Sequence, residues 1–464
     1  MSKLATSPAS WLRWAVHVEA LRSTIAARQS RPTSAKVSQH ARLVFMDTIG
    51  CTLAGRRAPE LASLEARLGA LEPGGFPLPG GRSLGVRAAS QLLAIGPTWH
   101  EACEGHAYAH GRPGVAIIAA LLPLALHRDA TVGELVDALV CGYEVGARAG
   151  GWLRVAPGLH VDGNWPALGA AAGVARLLGL PVDVAMKAVA IAACQLPSSL
   201  YLPIRTGRNV RNLYLAHAAT LGLDAALAAE AGFDAPPDAL AWYAEHLSPA
   251  ATQAPPPATA DLVLDAYLKP FAAVRHVHYG ALAAQRIRER LQRQTEGVHR
   301  IVLKVYEEAV AYCSNAQPTT LLAAQFSLSF GLAAMLRYGT LSPASYEAPQ
   351  FMDPELRRLE ALVEVQIDRQ LTHSDQRGAQ VSVVSRLGHC DERVDADDPG
   401  LLLDAAAAIE KFAHSAAPTV SPSTSHAFCA ALLQARADMP LRRLWQLLCA
   451  DDSRRIPAGT PEGA

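Results

Sequence analysis

The chain has 464 residues, 50% of them hydrophobic and 18% charged, which is enough apolar material for a large core spread over two or three domains. Lys plus Arg and Asp plus Glu number 42 each, so the net charge is zero and a broad basic nucleic-acid surface is excluded. The balance still leaves room for a local cluster of positive charge inside a pocket.

The first stretch, Met1 to Gln29, is broken by Arg13, Glu19, Arg22 and Arg28 and has no secretory core. Its Arg content faintly resembles a mitochondrial presequence, and an ordinary amphipathic helix is the favoured reading. Apolar residues at three- and four-residue spacing then predict helices over Ala41 to Ala54, Val115 to Leu126, Leu135 to Ala147, Ala167 to Leu178 and Ala216 to Ala231. Their many Ala and Gly residues allow close helix–helix approach. The longest apolar run, Val115 to Leu126, is too short to span a bilayer, so a soluble, cytoplasmic protein without membrane partners is expected.

Three consecutive prolines, Pro255 to Pro257, cannot continue a helix and mark a boundary or hinge. Alternating strand patterns follow at Ile301 to Val305, Leu362 to Ile367 and Gln380 to Val384, with an Ala- and Leu-rich helix from about Thr320 to Leu336 among them. From Leu401 to Cys449 the pattern is helical again, and a disordered tail is expected after Asp452. The expected fold is mainly α: a helical domain over 1–265, an α+β lid over 266–398, and a return segment and tail over 399–464. The eight cysteines make no CxxC pair, which indicates neither zinc nor a thioredoxin-like couple. They read as small buried hydrophobes in a reducing compartment.

Four segments concentrate chemistry. The first, Trp99 to Gly114, holds His100, His106, His110, Glu101, Glu104 and Arg112 in a stretch too irregular for one helix. It reads equally as a site at the mouth of a buried helix or as a solvated capping loop. In the second, Gly158 to Asn164, His160 has the proton affinity of an acid or base, while Asp162 or Asn164 suits an N-cap. An isolated His is also commonly structural. The third, Lys269 to Tyr279, gathers Lys269, Arg275, His276 and His278, a donor-rich patch suited to carboxylates. Its His-x-His pair raises metal binding, but no acidic or Cys ligand is near in sequence, so no metal is expected. The fourth, Arg205 to Asn212, includes Arg211 and suits an anion or a solvated loop. The chain carries no GxGxxG with a downstream acid, no P-loop and no Gly-x-Ser-x-Gly elbow, which disfavours nucleotide use and serine hydrolysis.

In order along the chain, Asp47-Thr48-Ile49-Gly50 through Ala54-Gly55, Glu104-Gly105-His106 through Arg112-Pro113-Gly114, Gly142-Tyr143-Glu144, His160 through Gly169, Arg211-Asn212-Leu213-Tyr214, Lys269-Pro270 through Arg275-His276-Val277-His278, and Cys313-Ser314-Asn315 with Phe326-Ser327 resemble the MmgE/PrpD family. The resemblance implies a large helical domain, a smaller lid, a cleft between them and a homodimer. Members include 2-methylcitrate dehydratase, cis-aconitate decarboxylase and iminodisuccinate epimerase, which need no cofactor. It therefore implies a cofactor-independent lyase or isomerase acting beside a carboxylate of a small di- or tricarboxylate-like substrate. The alternatives are a biosynthetic isomerase or cyclase on a larger molecule, and a non-catalytic ligand-binding homologue.

Carried over by position, His160 matches an active-site His and is the expected proton carrier, with His110 or Glu104 as counterpart. Lys269 and His278 match the junction Lys and its downstream His. Arg112, Arg211, Arg275, His276 and His278 are expected to hold carboxylates or developing negative charge. Phe330 replaces a Tyr and is expected to face the cleft. Arg112 stands where a His-Pro pair is usual, and Thr220, Val274 and Leu282 also depart from the pattern.

Overall fold

The computed structural model describes residues 12–248, 254–373 and 376–450. Long helices fill the first half: Leu12–Ser30, Ala35–Gly55, Val86–Thr98, Pro113–His127, Val132–Trp152, Pro166–Leu177 and Tyr214–Glu230. The Pro113–His127 helix is the centre of this block, and every residue from Pro113 to Leu126 is buried. Pro113 starts it, where the missing N–H has no helical partner to lose. Thr131 and Glu134 close a reciprocal capping box on the Val132–Trp152 helix.

Small residues set how closely these helices pack. A Cβ on Gly142 would lie 2.7 Å from the Gly169 carbonyl oxygen, and one on Gly169 would lie 2.8 Å from that of Gly142. The Val132–Trp152 and Pro166–Leu177 helices thus cross with backbones almost touching, as the Ala- and Gly-rich pattern predicts.

The last helices, Ala405–Ala416, Pro422–Gln434 and Leu441–Cys449, return to this block. Ala405–Ala416 lies against Ala35–Gly55, where Phe412 fills the space beside Gly50. Trp445 donates from Nε1 to the Pro77 carbonyl at 2.8 Å.

Between the two helical parts lies a four-stranded sheet in the order Val363–Ile367, Val298–Val305, Gly378–Ser385, Gly388–Asp395. The first pair is parallel, with Ile301 opposite Val363, and the others are antiparallel. The Arg275–Arg290 helix packs on its last two strands and also contacts Leu328–Tyr338. Gly388–Asp395 is not apparent from apolar alternation, because Gly-His-Cys-Asp-Glu-Arg-Val-Asp is a polar edge strand. The helix expected over Thr320 to Leu336 is two, Leu321–Gln325 and Leu328–Tyr338. Ser327 interrupts it by accepting from the Phe330 N–H at 3.1 Å and capping the second piece. The expected tail beyond Asp452 and the first eleven residues lie outside the described residues. Among the described residues no helix is long and apolar enough to cross a membrane.

The chain between the helical block and the sheet is held by a buried ion pair. Glu144 and Arg148 lie one turn apart, both with fully buried side chains. Arg148 donates to the Pro257 and Ala260 carbonyls at 2.6 and 3.1 Å. Glu144 accepts from the Leu262 and Val263 N–H groups at 3.1 and 2.9 Å. The three prolines have no N–H to give, and beyond the turn bond from the Ala260 N–H to the Pro257 carbonyl at 3.0 Å this pair supplies side-chain partners to the segment.

Removing Glu144 leaves an uncompensated buried guanidinium. Glu144→Ala should cost roughly 3–5 kcal/mol of stability, seen as an earlier urea midpoint. An unchanged midpoint would mean that this segment is fastened elsewhere.

Candidate active site

A cavity of about 380 Å³ opens between the helical block and the lid. Its inner wall is the loop joining Val86–Thr98 to Pro113–His127. The loop is irregular, with Glu101 and His110 in left-handed conformations at φ 54° and 53°. Three supports hold it. Gly105 and His106 pair with Tyr267 and Ala266 as a short antiparallel bridge. The His106 ring bonds through Nε2 to the Leu262 carbonyl at 2.9 Å and accepts the Ala109 N–H on Nδ1 at 3.2 Å. From the return segment, Lys411 donates to Asp47 Oδ1 at 2.5 Å and to the Ala102 carbonyl at 2.6 Å.

Glu104 is wholly buried at the start of the Pro113–His127 helix. It accepts from the Gly114 N–H at 2.8 Å and from the Tyr143 hydroxyl at 3.0 Å. Burial outweighs these two donors and lifts its carboxyl to about 7. A carboxyl poised there exchanges a proton readily near neutrality.

Beside it is a network of five charged side chains. Glu101 Oε2 meets Arg211 Nη2 at 2.6 Å and Arg112 Nη1 at 3.0 Å, while Oε1 meets Lys269 Nζ at 3.0 Å. Asp162 accepts from Arg112 Nη2 at 3.0 Å and Nε at 3.3 Å, and lies 3.4 Å from Arg211. Burial alone would raise the Glu101 carboxyl. Arg112, Arg211 and Lys269 override it and hold Glu101 well below the usual carboxylate range. Three cations against two anions leave one positive charge over.

His160 caps a single turn, Val161–Gly163, and its Nδ1 accepts the Asp162 N–H at 3.1 Å. Desolvation lowers its pKa to about 4, with Asp162 opposing and Arg211 and Arg112 adding to the fall. The ring is therefore neutral near pH 7. With Nδ1 accepting, its proton sits on Nε2, and His160 is a hydrogen-bond donor. His276 is neutral too, pushed down to about 3 by burial and then by Arg377 and Lys269. Its Nδ1 meets the Tyr306 hydroxyl at 2.5 Å, and its ring stacks on Tyr312. Arg275 lies over Tyr267, 4.5 Å from the ring centre, and donates to the Leu401 carbonyl at 2.9 Å.

Of the residues expected from sequence, His160, His110, Glu104, Lys269, Arg112, Arg211, Arg275 and His276 line this one cavity. Two do not. His278 is fully buried behind the wall, where Nε2 bonds the Ala273 carbonyl at 3.0 Å and braces the junction loop. Phe330 is fully buried among Tyr346, Phe351 and Arg357 rather than facing the cleft. One helical turn decides this: Ser327 sets the start of the Leu328–Tyr338 helix and turns position 330 into the core.

Sequence reasoning gave no role to Glu101 and offered Asp162 only as a cap. Glu101 directly follows His100 and Asp162 lies two residues after His160, and that was the available signal. Arg154, Tyr201, Tyr267, Glu308, Tyr312 and Arg377 also line the cavity, brought together only by the fold. Among the described residues no three His, Cys, Asp or Glu side chains converge in a metal-binding group.

Residues 19–246 match the family model for the MmgE/PrpD N-terminal domain, and residues 271–439 match that for the MmgE/PrpD C-terminal domain. A comparison with curated proteins gives no match.

Phe330→Tyr should place a hydroxyl in a dry aromatic cluster. The expected result is a loss of about 1–3 kcal/mol for an unsatisfied buried group, with kcat per folded molecule unchanged. Altered turnover at unchanged stability would return Phe330 to the cleft.

Proposed function

As the chain belongs to the MmgE/PrpD family, which includes lyases and dehydratases, we propose that it is a lyase or isomerase acting at the carbon beside a carboxylate of a small di- or tricarboxylate, without metal or organic cofactor. One observation carries this reading. The cavity is lined by six cationic side chains, Arg112, Arg154, Arg211, Lys269, Arg275 and Arg377, against four carboxyl groups, Glu101, Glu104, Asp162 and Glu308. The excess of two positive charges becomes three when Glu104 is protonated, which suits a substrate with two or three carboxylates.

The two titrating groups divide the labour. A C–H beside a carboxylate loses its proton only to a placed base, with donors ready for the charge that develops. Glu104, at about 7, is the base. His160, neutral with a proton on Nε2, donates to the developing oxyanion or to a leaving hydroxyl. Lys269 and the surplus charge of the Glu101 network stabilise the enediolate. Dehydration, epimerisation and decarboxylation share this build-up of charge and differ in the group that leaves.

A second reading, an isomerase or cyclase of a larger molecule, is favoured by one feature. Arg112 and Arg211 already spend their guanidinium forks on Glu101 and Asp162. The protein works as a homodimer joined through the helical block, where Leu200, Leu202 and Leu213 are exposed. Its eight free cysteines suit a reducing cytoplasm.

The test is solvent-deuterium exchange into a panel of di- and tricarboxylates. Exchange should rise with pH through about 7 as Glu104 ionises and then level off. Glu104→Gln and His160→Gln should each slow it roughly 10²- to 10⁴-fold with little change in Tm. No exchange or turnover of any acid that binds would leave a ligand-binding homologue. A rate independent of pH from about 6 to 8 would remove Glu104 as base.

A further inference from the structure

Arg275 apart, the basic groups of the cavity fall into two sets. The inner set is the Glu101 network with its neighbour His160, whose charge environment is made by Asp162, Arg211, Arg112 and Glu101. The outer set is Arg154, Arg377 and His110, and the charges that His110 feels are Arg154, Arg377 and His106. His276 lines the same cavity and feels both Arg377 of the outer set and Lys269 of the inner one. Tyr201, Tyr312 and Phe326 add aromatic surface to the same wall.

Arg154 is the unusual member. It follows the Val132–Trp152 helix and is fixed through its backbone, whose N–H donates to Ser248 Oγ at 2.8 Å and whose carbonyl accepts from it at 2.7 Å. Its side chain donates from Nη1 to the Gly150 carbonyl at 3.2 Å, and among the described residues no carboxylate pairs with it. Arg377, from the lid, meets Glu308 at 3.2 Å. His110 lines the same cavity in a left-handed turn and feels the charge of both. Two guanidinium groups facing one carboxylate leave a positive charge at the outer end. It matches the single positive charge left over at the inner end.

We propose that Arg154 and Arg377, one from each side of the cleft, form a distal subsite for a second acidic group, so that the substrate is a two-ended diacid whose reacting carbon lies at the inner end. Compact acids that crowd their carboxylates on neighbouring carbons leave this subsite empty. A diacid long enough to reach it ties the lid to the helical block. The assignment of the inner end to chemistry rests on the function proposed above, whereas the distal subsite does not.

The experiment uses the full chain and a series of straight-chain α,ω-dicarboxylates from succinate to suberate, each paired with the monocarboxylate of the same length. Affinity is measured by calorimetry at low salt. One dicarboxylate length should bind roughly ten-fold or more tightly than its monocarboxylate, as expected for an added charge-assisted contact. Arg154→Met should abolish that advantage and leave the monocarboxylate affinity unchanged, and Arg154→Lys should keep part of it. Equal affinities across the series, no binding of any diacid, or an Arg154→Met protein that weakens both ligands alike would each overturn the subsite. Deuterium exchange into the same acids separates the two ideas. Length-dependent binding without exchange refutes the reaction and keeps the subsite, and exchange without length dependence does the reverse.

Discussion

A carboxylate at 2% exposure stays ionised only if cations replace the water it has lost, and Glu101 has three of them. They come from separate parts of the chain: Arg112 at the mouth of a helix, Arg211 from a tight turn, and Lys269 from the junction with the lid. Each is itself buried, and Lys269 also donates to the Glu101 carbonyl. One such pair by itself gains little in a dry wall, because the desolvation of two ions offsets most of their attraction. As a network with Asp162 they satisfy one another, and in doing so they fix where four chain segments meet. The left-handed backbone at Glu101 is the local strain that this arrangement sustains.

The same constraint explains why the end of the chain returns to its beginning. The loop carrying Glu101 and Glu104 has no regular structure of its own. Lys411, on the returning Ala405–Ala416 helix, ties it from behind by bonding the Ala102 carbonyl and Asp47 together. Asp47 in turn helps to keep the Glu104 carboxyl high through its negative charge, a smaller effect than burial. Packing of the terminal helices against the first block and proton affinity in the cavity are thus joined through one lysine.

Histidines in this molecule show that residue type does not settle role. His106 uses both ring nitrogens to hold the loop, and His278 braces a carbonyl out of reach of the cavity. His160 spends one nitrogen on a backbone N–H and keeps the other free of such a task. Its neutral state follows from burial among the cations of the Glu101 network, and its tautomer follows from a single amide.

Much of the fold was present in the sequence by itself. Three- and four-residue apolar spacing marked the long helices, alternation marked three strands, and three prolines marked a stretch without helix. Eight of the ten expected site residues share one cavity, because the short motifs that carry them meet at the same cleft. Tertiary structure decided the rest. The charged edge strand Gly388–Asp395 hides its period, because the inward position between Cys390 and Val394 is Glu392, which pairs with Arg286 and Arg290 of the helix packed on it. Phe330 went to the core because a cap at Ser327 set the phase of its helix. Glu101 became the hub, and Arg154 and Arg377 came to share a rim, because residues more than a hundred positions apart met across a cleft. Local sequence carries periodicity and motif chemistry. Pairing between distant charges, and the burial that sets their proton affinities, exist only once the chain has closed on itself.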